Sequence, residues 1–334
     1  LKRAGIIGGG AWGTALAQAA AEAGLETILW AMEPEVATAI NSTHENSVFL
    51  AGVPLNENIT ATNEMADLKS CDFILMVCPA QFMRPVAKNL VKAISNGGVD
   101  GTPLVICSKG IEKTTGLLMS EVLAETVPNS PVAVLSGPTF AHEVAKGLPA
   151  AVTMAAEDLE LAKALSLAIG RPAFRPYWTT DVIGAQIGGA IKNVLAIACG
   201  IIHGLDYGEN ARAALITRGL SEMVRFSDLK GGQHDTLMGL CGLGDLMLTC
   251  SSTQSRNMSL GSALGQGKTL EEIMAGRKTV AEGYHSAQIV YEIAKQANLD
   301  TPIIYAIYQI LYEGRNVDES INDILNRPFA AETF

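Results

Sequence analysis

A single lysine interrupts a long apolar stretch near the middle of the chain. In GAQIGGAIKNVLAI, residues 184–197, Lys192 is the only charge. An amine in dry surroundings loses proton affinity and can serve as an acid or base near neutral pH. Gly188, four residues earlier on the same helical face, is expected to leave room for a ligand. Asn193 could orient the amine or the ligand. A snorkelling lysine at a helix edge is the plainer alternative. Further along, GLGDLMLT at 242–249 is a glycine turn carrying one acid, Asp245. Asp245 could cap the helix that follows, hold a substrate hydroxyl or hold Lys192. Ser255-Arg256-Asn257 then precedes another helical stretch, and an arginine beside a hydroxyl and an amide at a helix entry suits a phosphate. A simple cap with a surface arginine is the alternative there.

The first half holds a second set. Gly8-x-Gly10-x-x-Gly13 follows an apolar run and opens a helical one. Gly8 permits a tight turn, Gly10 lets backbone approach a pyrophosphate, and Gly13 lets helix and strand pack closely. The pyrophosphate then faces free N–H groups at a helix N-terminus. Glu33, twenty residues past Gly13, could accept from a ribose 2′-hydroxyl or could simply start a helix beside Pro34. No Arg or Lys stands there to meet a 2′-phosphate, which favours NAD. Lys109 follows one apolar run, while Gly137 and Thr139 follow the next. Lys109 would set a positive charge at a sheet edge, and Thr139 could be a substrate contact, a helix N-cap or both.

These residues need a scaffold, and the hydrophobic pattern describes one. Up to about residue 180, short apolar runs at 3–7, 27–30, 72–77, 103–107, 132–135 and 150–154 read as strands. Helical segments at 15–23, 82–93 and 117–126 lie between them. Continuous apolar strands separated by helices imply a parallel sheet covered on both faces. Ligands of such sheets gather at the carboxyl ends of the strands, where Lys109 and Gly137 fall. Beyond residue 180 helical periodicity takes over, at 184–202, 211–228, 270–275, 286–297 and 303–312. The reading is therefore two domains: 1–180, an α/β dinucleotide-binding domain of doubly wound type, and 181–334, an all-α domain for substrate and dimerisation.

Composition excludes other classes. With 48% hydrophobic and 17% charged residues among 334, the chain is not disordered. Thirty-four acidic against 24 basic residues argue against nucleic acid as a partner. The same balance makes local cations, Lys109, Lys192 and Arg256, the means of holding an anion. The most apolar run, 194–202, is nine residues, well short of the ~20 that span a bilayer, so no integral membrane contact is expected. Lys2 and Arg3 before an apolar run mimic a signal peptide, but three consecutive glycines and the lack of a clear cleavage site make it structure. The chain opens at Leu1 rather than Met, so residues upstream are expected. Six cysteines without a CxxC pair read as buried hydrophobes in a reducing compartment. Five histidines without metal spacing predict no metal.

Eight stretches together carry a resemblance: GGGAWGTA at 8–15, SKGIE at 108–112, SGPTFAHEVAKGLP at 136–149, GGAIKNVLAI at 188–197, NARAALITRGL at 210–220, GLGDLMLTC at 242–250, SRN at 255–257 and VAEGY at 280–284. Over nearly its whole length the chain resembles bacterial NAD(P)-dependent glycerol-3-phosphate dehydrogenases of the soluble type. The resemblance implies a Rossmann-like domain followed by an all-α domain like the C-terminal part of 6-phosphogluconate dehydrogenase. It implies reversible reduction of dihydroxyacetone phosphate to sn-glycerol 3-phosphate with NAD or NADP as cofactor, feeding phospholipid biosynthesis, in a cytoplasmic homodimer. Lys192 would be the proton donor and acceptor. Lys109, Gly137, Thr139, Lys192, Asp245, Ser255, Arg256 and Asn257 would contact substrate. Gly8, Gly10, Ala11, Trp12, Gly13, Lys109, Ala141, Arg256, Val280 and Glu282 would contact cofactor. Some members carry a basic or imidazole residue where Met32 stands, so 2′-phosphate recognition departs from the pattern here. Two other readings are a β-hydroxyacid or 6-phosphogluconate-type dehydrogenase and a non-catalytic dinucleotide-binding redox sensor. The Lys109 strand end and the 255–257 cluster speak against the first. A sensor would not need Lys192, Asp245 and Arg256 together.

Overall fold

A computed structural model describes residues 1–94, 99–275, 281–329 and 331–332. The chain divides into two compact units, residues 1–112 with 117–182, and residues 113–116 with 183 onward.

The first unit is built on one eight-stranded sheet. Its strands are β1 Arg3–Ile7, β2 Glu26–Trp30, β3 Ile59–Thr62, β4 Phe73–Met76, β5 Leu104–Ile106, β6 Val132–Ser136, β7 Ala150–Ala156 and β8 Phe174–Thr179. They lie in the order β3-β2-β1-β4-β5-β6-β7-β8. The central strands β1, β4 and β5 are buried along nearly their whole length, which is why they read as unbroken apolar runs. Helices such as Ala11–Glu22 and Met83–Ala93 make the crossovers. Apolar side chains from the Ala11–Glu22 helix, including Ala15, Leu16, Ala19 and Ala20, join Ile6, Leu29 and Leu75 in the core.

Three features depart from the expected parallel sheet. The pairing of β6 with β7 is antiparallel. Only the five-residue helix Ala141–Ala145 separates these strands, and it packs on the Ala11–Glu22 helix. A parallel return needs a full crossover, and this link does not make one. β3 escaped the pattern because Ile59-Thr60-Ala61-Thr62 carries two threonines and only half its residues are buried. β8 escaped it because Pro176 marks it as unlike a central strand. It is indeed an edge strand, where the missing N–H costs little.

The second unit is helical among its described residues. Its helices include Val182–Gly204, which opens at the unit boundary, Gly208–Lys230, Asp245–Ser251, Arg256–Gly265, Glu282–Gln296 and Pro302–Tyr312. Helices Val182–Gly204 and Arg256–Gly265 touch backbone to backbone. A Cβ on Gly200 would stand 2.2 Å from the carbonyl oxygen of Met258, and one on Gly261 would stand 1.9 Å from that of Ile197. The seam exists only because both sides lack side chains.

The Val182–Gly204 helix corrects the nine-residue limit set by its most apolar run. It is 23 residues long and holds an 18-residue window with a mean hydropathy of 1.6, enough by length and composition to cross a bilayer. Yet 94% of that apolar window is buried inside the protein. The six cysteines are free and buried.

Glu222, fully enclosed in the Gly208–Lys230 helix, caps a different helix. Its carboxylate accepts from the N–H of Ile303 at 2.7 Å and of Ile304 at 3.0 Å, in the first turn of Pro302–Tyr312. Thr301 at the N-cap makes no such bond, and Pro302 fills the first turn. Burial pushes the Glu222 carboxyl up to about 7, against the two N–H donors and Arg225. A carboxyl raised in the folded state favours folding most below its ordinary 4.5 and loses that contribution as pH rises to about 7. The loss is on the order of 3 kcal/mol. Urea titrations should show the stability of the native chain falling relative to Glu222→Gln between pH 4.5 and 8. Parallel curves would remove this account.

Candidate active site

The first unit carries the glycine turn between β1 and the Ala11–Glu22 helix. Gly8 has φ +130°, a conformation open to glycine. Its N–H donates to the Trp30 carbonyl at 3.0 Å. A Cβ on Gly13 would lie 1.8 Å from the Gly8 carbonyl oxygen, so the turn closes only with glycine there. Gly10, by contrast, is exposed at the helix N-cap and has nothing within 4 Å of where a Cβ would stand. Ala11 and Trp12 form the half-buried first turn. This arrangement fits a dinucleotide: an open N-terminus, free N–H groups, and space at the one glycine that borders it. Gly10→Ala should therefore leave thermal stability within about 0.5 kcal/mol of the parent. It should weaken NADH binding by roughly 10-fold or more, since the added methyl group intrudes where a pyrophosphate must approach. Fluorescence titration beside a melting curve reads both, and unchanged affinity would remove Gly10 from the site.

One strut of this turn was not legible. Asn46, fully buried, donates from Nδ2 to the Gly9 carbonyl at 2.8 Å and to Thr14 Oγ1 at 2.8 Å. In sequence it is an ordinary loop asparagine after a helix, and only its burial marks it. Glu33 stands at the N-cap of helix Pro34–Thr43, yet its side chain makes no capping bond. Met32 beside it is 72% exposed and offers no cation to a 2′-phosphate.

At the carboxyl ends of β5 and β6, Lys109 Nζ donates to the Gly137 carbonyl at 3.1 Å. Thr139 Oγ1 lies 3.4 Å from the same oxygen. Thr139 is not a helix cap, because Phe140 holds the N-cap position before Ala141. The hydroxyls of Ser108 and Ser136, which immediately precede Lys109 and Gly137, are buried without a hydrogen-bond partner among the described residues. Neither was expected to matter.

The second unit brings Lys192, Asp245 and Thr249 together. Lys192 Nζ donates to Asp245 Oδ1 at 2.5 Å and to Thr249 Oγ1 at 2.9 Å. Lys192 is 7% exposed and Asp245 not at all. The amine is dry, as expected, but it is not solitary: a buried carboxylate balances it. Thr249 Oγ1 also donates to the Asp245 carbonyl at 2.7 Å, one turn back along helix Asp245–Ser251. Thr249 was missed, although its spacing from Asp245 is one helical turn.

Gly188 plays a different part from the one expected. Its open face is filled by the π-helical turn Leu240–Gly244, whose Cys241 carbonyl would sit 2.3 Å from a Cβ on Gly188. The room is used by backbone, not ligand, and this close approach leads the chain to Asp245. Asn193 and Asn257 form a second network. Asn257 Nδ2 donates to Asn193 Oδ1 at 2.8 Å, and the Gly283 N–H donates to Asn257 Oδ1 at 2.9 Å. Asn193 Nδ2 reaches Glu282 Oε2 at 3.4 Å. The Asn257 amide is thus engaged within the protein. Ser255 is a helix cap, its Oγ accepting from the Met258 N–H at 3.3 Å. Arg256 is exposed at the first position of the same helix. Val280 lies outside the described residues.

A largely parallel Rossmann-like sheet with a dinucleotide turn, joined to a helical unit with a buried lysine–carboxylate pair, defines a nicotinamide-dependent dehydrogenase. Residues 3–162 match the profile described as NAD-dependent glycerol-3-phosphate dehydrogenase N-terminus. Residues 181–322 match that of the C-terminus. The chain belongs to the NAD-dependent glycerol-3-phosphate dehydrogenase family. It is 52% identical over 332 residues to the glycerol-3-phosphate dehydrogenase (NAD(P)+) of Parvibaculum lavamentivorans, covering 99% of this chain and 98% of that one. The enzyme of the same name from Erythrobacter litoralis is 53% identical over 98% of this chain and 97% of its own. The crystal structure of glycerol-3-phosphate dehydrogenase from Coxiella burnetii superposes with a TM-score of 0.90 at 36% identity, covering 98% of this chain and 99% of that one.

Proposed function

We infer that this chain reversibly reduces dihydroxyacetone phosphate to sn-glycerol 3-phosphate with NADH or NADPH, supplying the glycerophospholipid backbone. Within a chain of this family, the observation that carries the reading is Lys192, buried and held by Asp245 and Thr249. The reduced dinucleotide, when bound, supplies a hydride to C2 of the ketone. The carbonyl oxygen then needs a proton, and Lys192 Nζ is the group positioned to give it. In the reverse direction Lys192 takes the proton back. Asp245 holds the ammonium in place and offsets its charge while it is protonated. The Lys109 ammonium stabilises the negative charge that develops on the oxygen. Arg256 and the N–H groups at its helix N-terminus hold the phosphate, a remote grip that orients the carbonyl. Ser255 and Asn257 support this grip by fixing the helix entry, with their side chains bonded to Met258, Asn193 and Gly283. Ala141 and Glu282 belong with the cofactor contacts in this reading.

Loss of absorbance at 340 nm on mixing the protein with NADH and dihydroxyacetone phosphate tests the reaction. A parallel run with NADPH ranks the cofactors, and the exposed Met32 and uncapped Glu33 favour NADH. Arg256→Ala should raise KM for dihydroxyacetone phosphate by about 10- to 100-fold, the worth of a charge-assisted phosphate contact. An unchanged KM and kcat would count against that role. Six buried free thiols support a reducing, cytoplasmic setting. The homodimer expected of the family is tested by light scattering.

A further inference from the structure

Lys109 sits on a five-residue segment, 108–112, which follows β5 and belongs to no helix or strand, its one regular contact being the isolated bridge of Ile111 with Leu118. The segment is also gripped by the start of the Met83–Ala93 helix. Arg84 donates from Nε to Glu112 Oε1 at 2.9 Å and from NH2 to Glu112 Oε2 at 2.8 Å, a two-point hold on the far end of the turn. The Glu112 side chain is 8% exposed and that of Arg84 is 23% exposed. Arg84 NH1 also reaches Glu125 at 2.6 Å, which fixes the plane of the guanidinium. One residue earlier, Gln81 Nε2 donates to the Ile111 carbonyl at 2.8 Å. Behind Gly110, a Cβ would meet that of Ala80 at 2.9 Å. The Glu112 N–H donates to the Leu117 carbonyl at 2.9 Å, closing the base of the excursion that follows. Every one of these contacts constrains the turn whose near end presents the Lys109 ammonium to the Gly137 carbonyl.

We propose that Arg84 is a positioning residue for catalysis: by clamping Glu112 in two places it sets the 108–112 turn and so the placement of the Lys109 ammonium. This rests on the reading of Lys109 as a contact of the reacting molecule. A partly buried fork to a carboxylate fixes distance and plane together. A lysine in its place keeps the charge and loses the second bond. Small displacements of a catalytic charge are costly to rate.

The test is a double-mutant cycle between Arg84→Met and Lys109→Met, with Arg84→Lys and Glu112→Gln alongside. Steady-state kcat and KM for dihydroxyacetone phosphate and the melting temperature are read for each. Arg84→Met should lower kcat/KM by roughly 10- to 100-fold, and Arg84→Lys should recover little of it. In the Lys109→Met background, Arg84→Met should add almost nothing, because the group it positions is gone. Multiplying losses in the double variant, or full rescue by Arg84→Lys, would overturn the proposal while leaving Lys109 in place. An active Lys109→Met would instead remove the role of Lys109, and the proposal with it. If Arg84→Met does not fold, Glu112→Gln crossed with Lys109→Met decides by the same criterion.

Discussion

Lys192→Met lowers kcat by about 100- to 10,000-fold, the range expected when a positioned proton donor is lost. Binding of NADH stays near that of the parent, because Lys192 is not among the proposed cofactor contacts. The substitution has a second effect that must be separated from the first. Asp245 is fully buried, and Lys192 is its ionic partner at 2.5 Å. Breaking this buried ion pair from one side costs about 3–5 kcal/mol. The double variant Lys192→Met, Asp245→Asn removes both charges and should regain most of that stability while staying inactive. Single-turnover absorbance with prebound NADH, together with urea melts of all variants, distinguishes lost chemistry from lost folding. Near-parental turnover in a folded Lys192→Met would remove the lysine from the mechanism.

Gly261→Val abolishes folding of the helical unit, and even Gly261→Ala destabilises it. An exposed helical glycine replaced by alanine normally gains ~1 kcal/mol. Here the sign reverses. The added carbon would stand 1.9 Å from the Ile197 carbonyl oxygen, and that oxygen belongs to a helix, not to a flexible side chain. The two helices must separate, and overpacking of this kind costs ~1–3 kcal/mol and sometimes more. Circular dichroism melts of both variants check it, and a stabilised Gly261→Ala would show that the helices are not in contact. Separation also moves Asn257, four residues away on the same helix, whose amide bridges Asn193 and Gly283. Activity should therefore fall in the alanine variant before the protein melts.

Much of this architecture was legible in sequence, and the gaps have physical causes. Fully buried strands such as Phe73–Met76 announce themselves as apolar runs. The strand Ile59–Thr62 and the proline-bearing edge strand Phe174–Thr179 do not, because half-buried edges tolerate polar residues. The reversal of β7 depended on what lies between two strands, and periodicity says nothing of strand direction. At the site, Lys192 stood out because it is one charge in an apolar helix. Its partner Asp245 was one of three possibilities, since a carboxylate after a glycine turn looks the same whether it caps a helix or meets a cation. Asn46 and Arg84 gave no signal at all. Their roles come from bonds to residues 37 and 28 positions away, and such distances are set by topology rather than local pattern. Gly188 was read for the right property, absence of a side chain, and the wrong occupant.

The 23-residue helix around Lys192 has a consequence for how this protein is handled in a cell. Before its neighbours fold around it, Val182–Gly204 is a bilayer-length apolar segment. A lysine near the middle of such a segment opposes insertion by ~2.5–3.5 kcal/mol. The side chain proposed as the proton donor is therefore also the charge that sets this segment apart from a membrane span. Lys192→Met removes that charge, so the variant should be compared as purified, refolded protein. A growth phenotype alone would mix a lost reaction with mistargeted polypeptide.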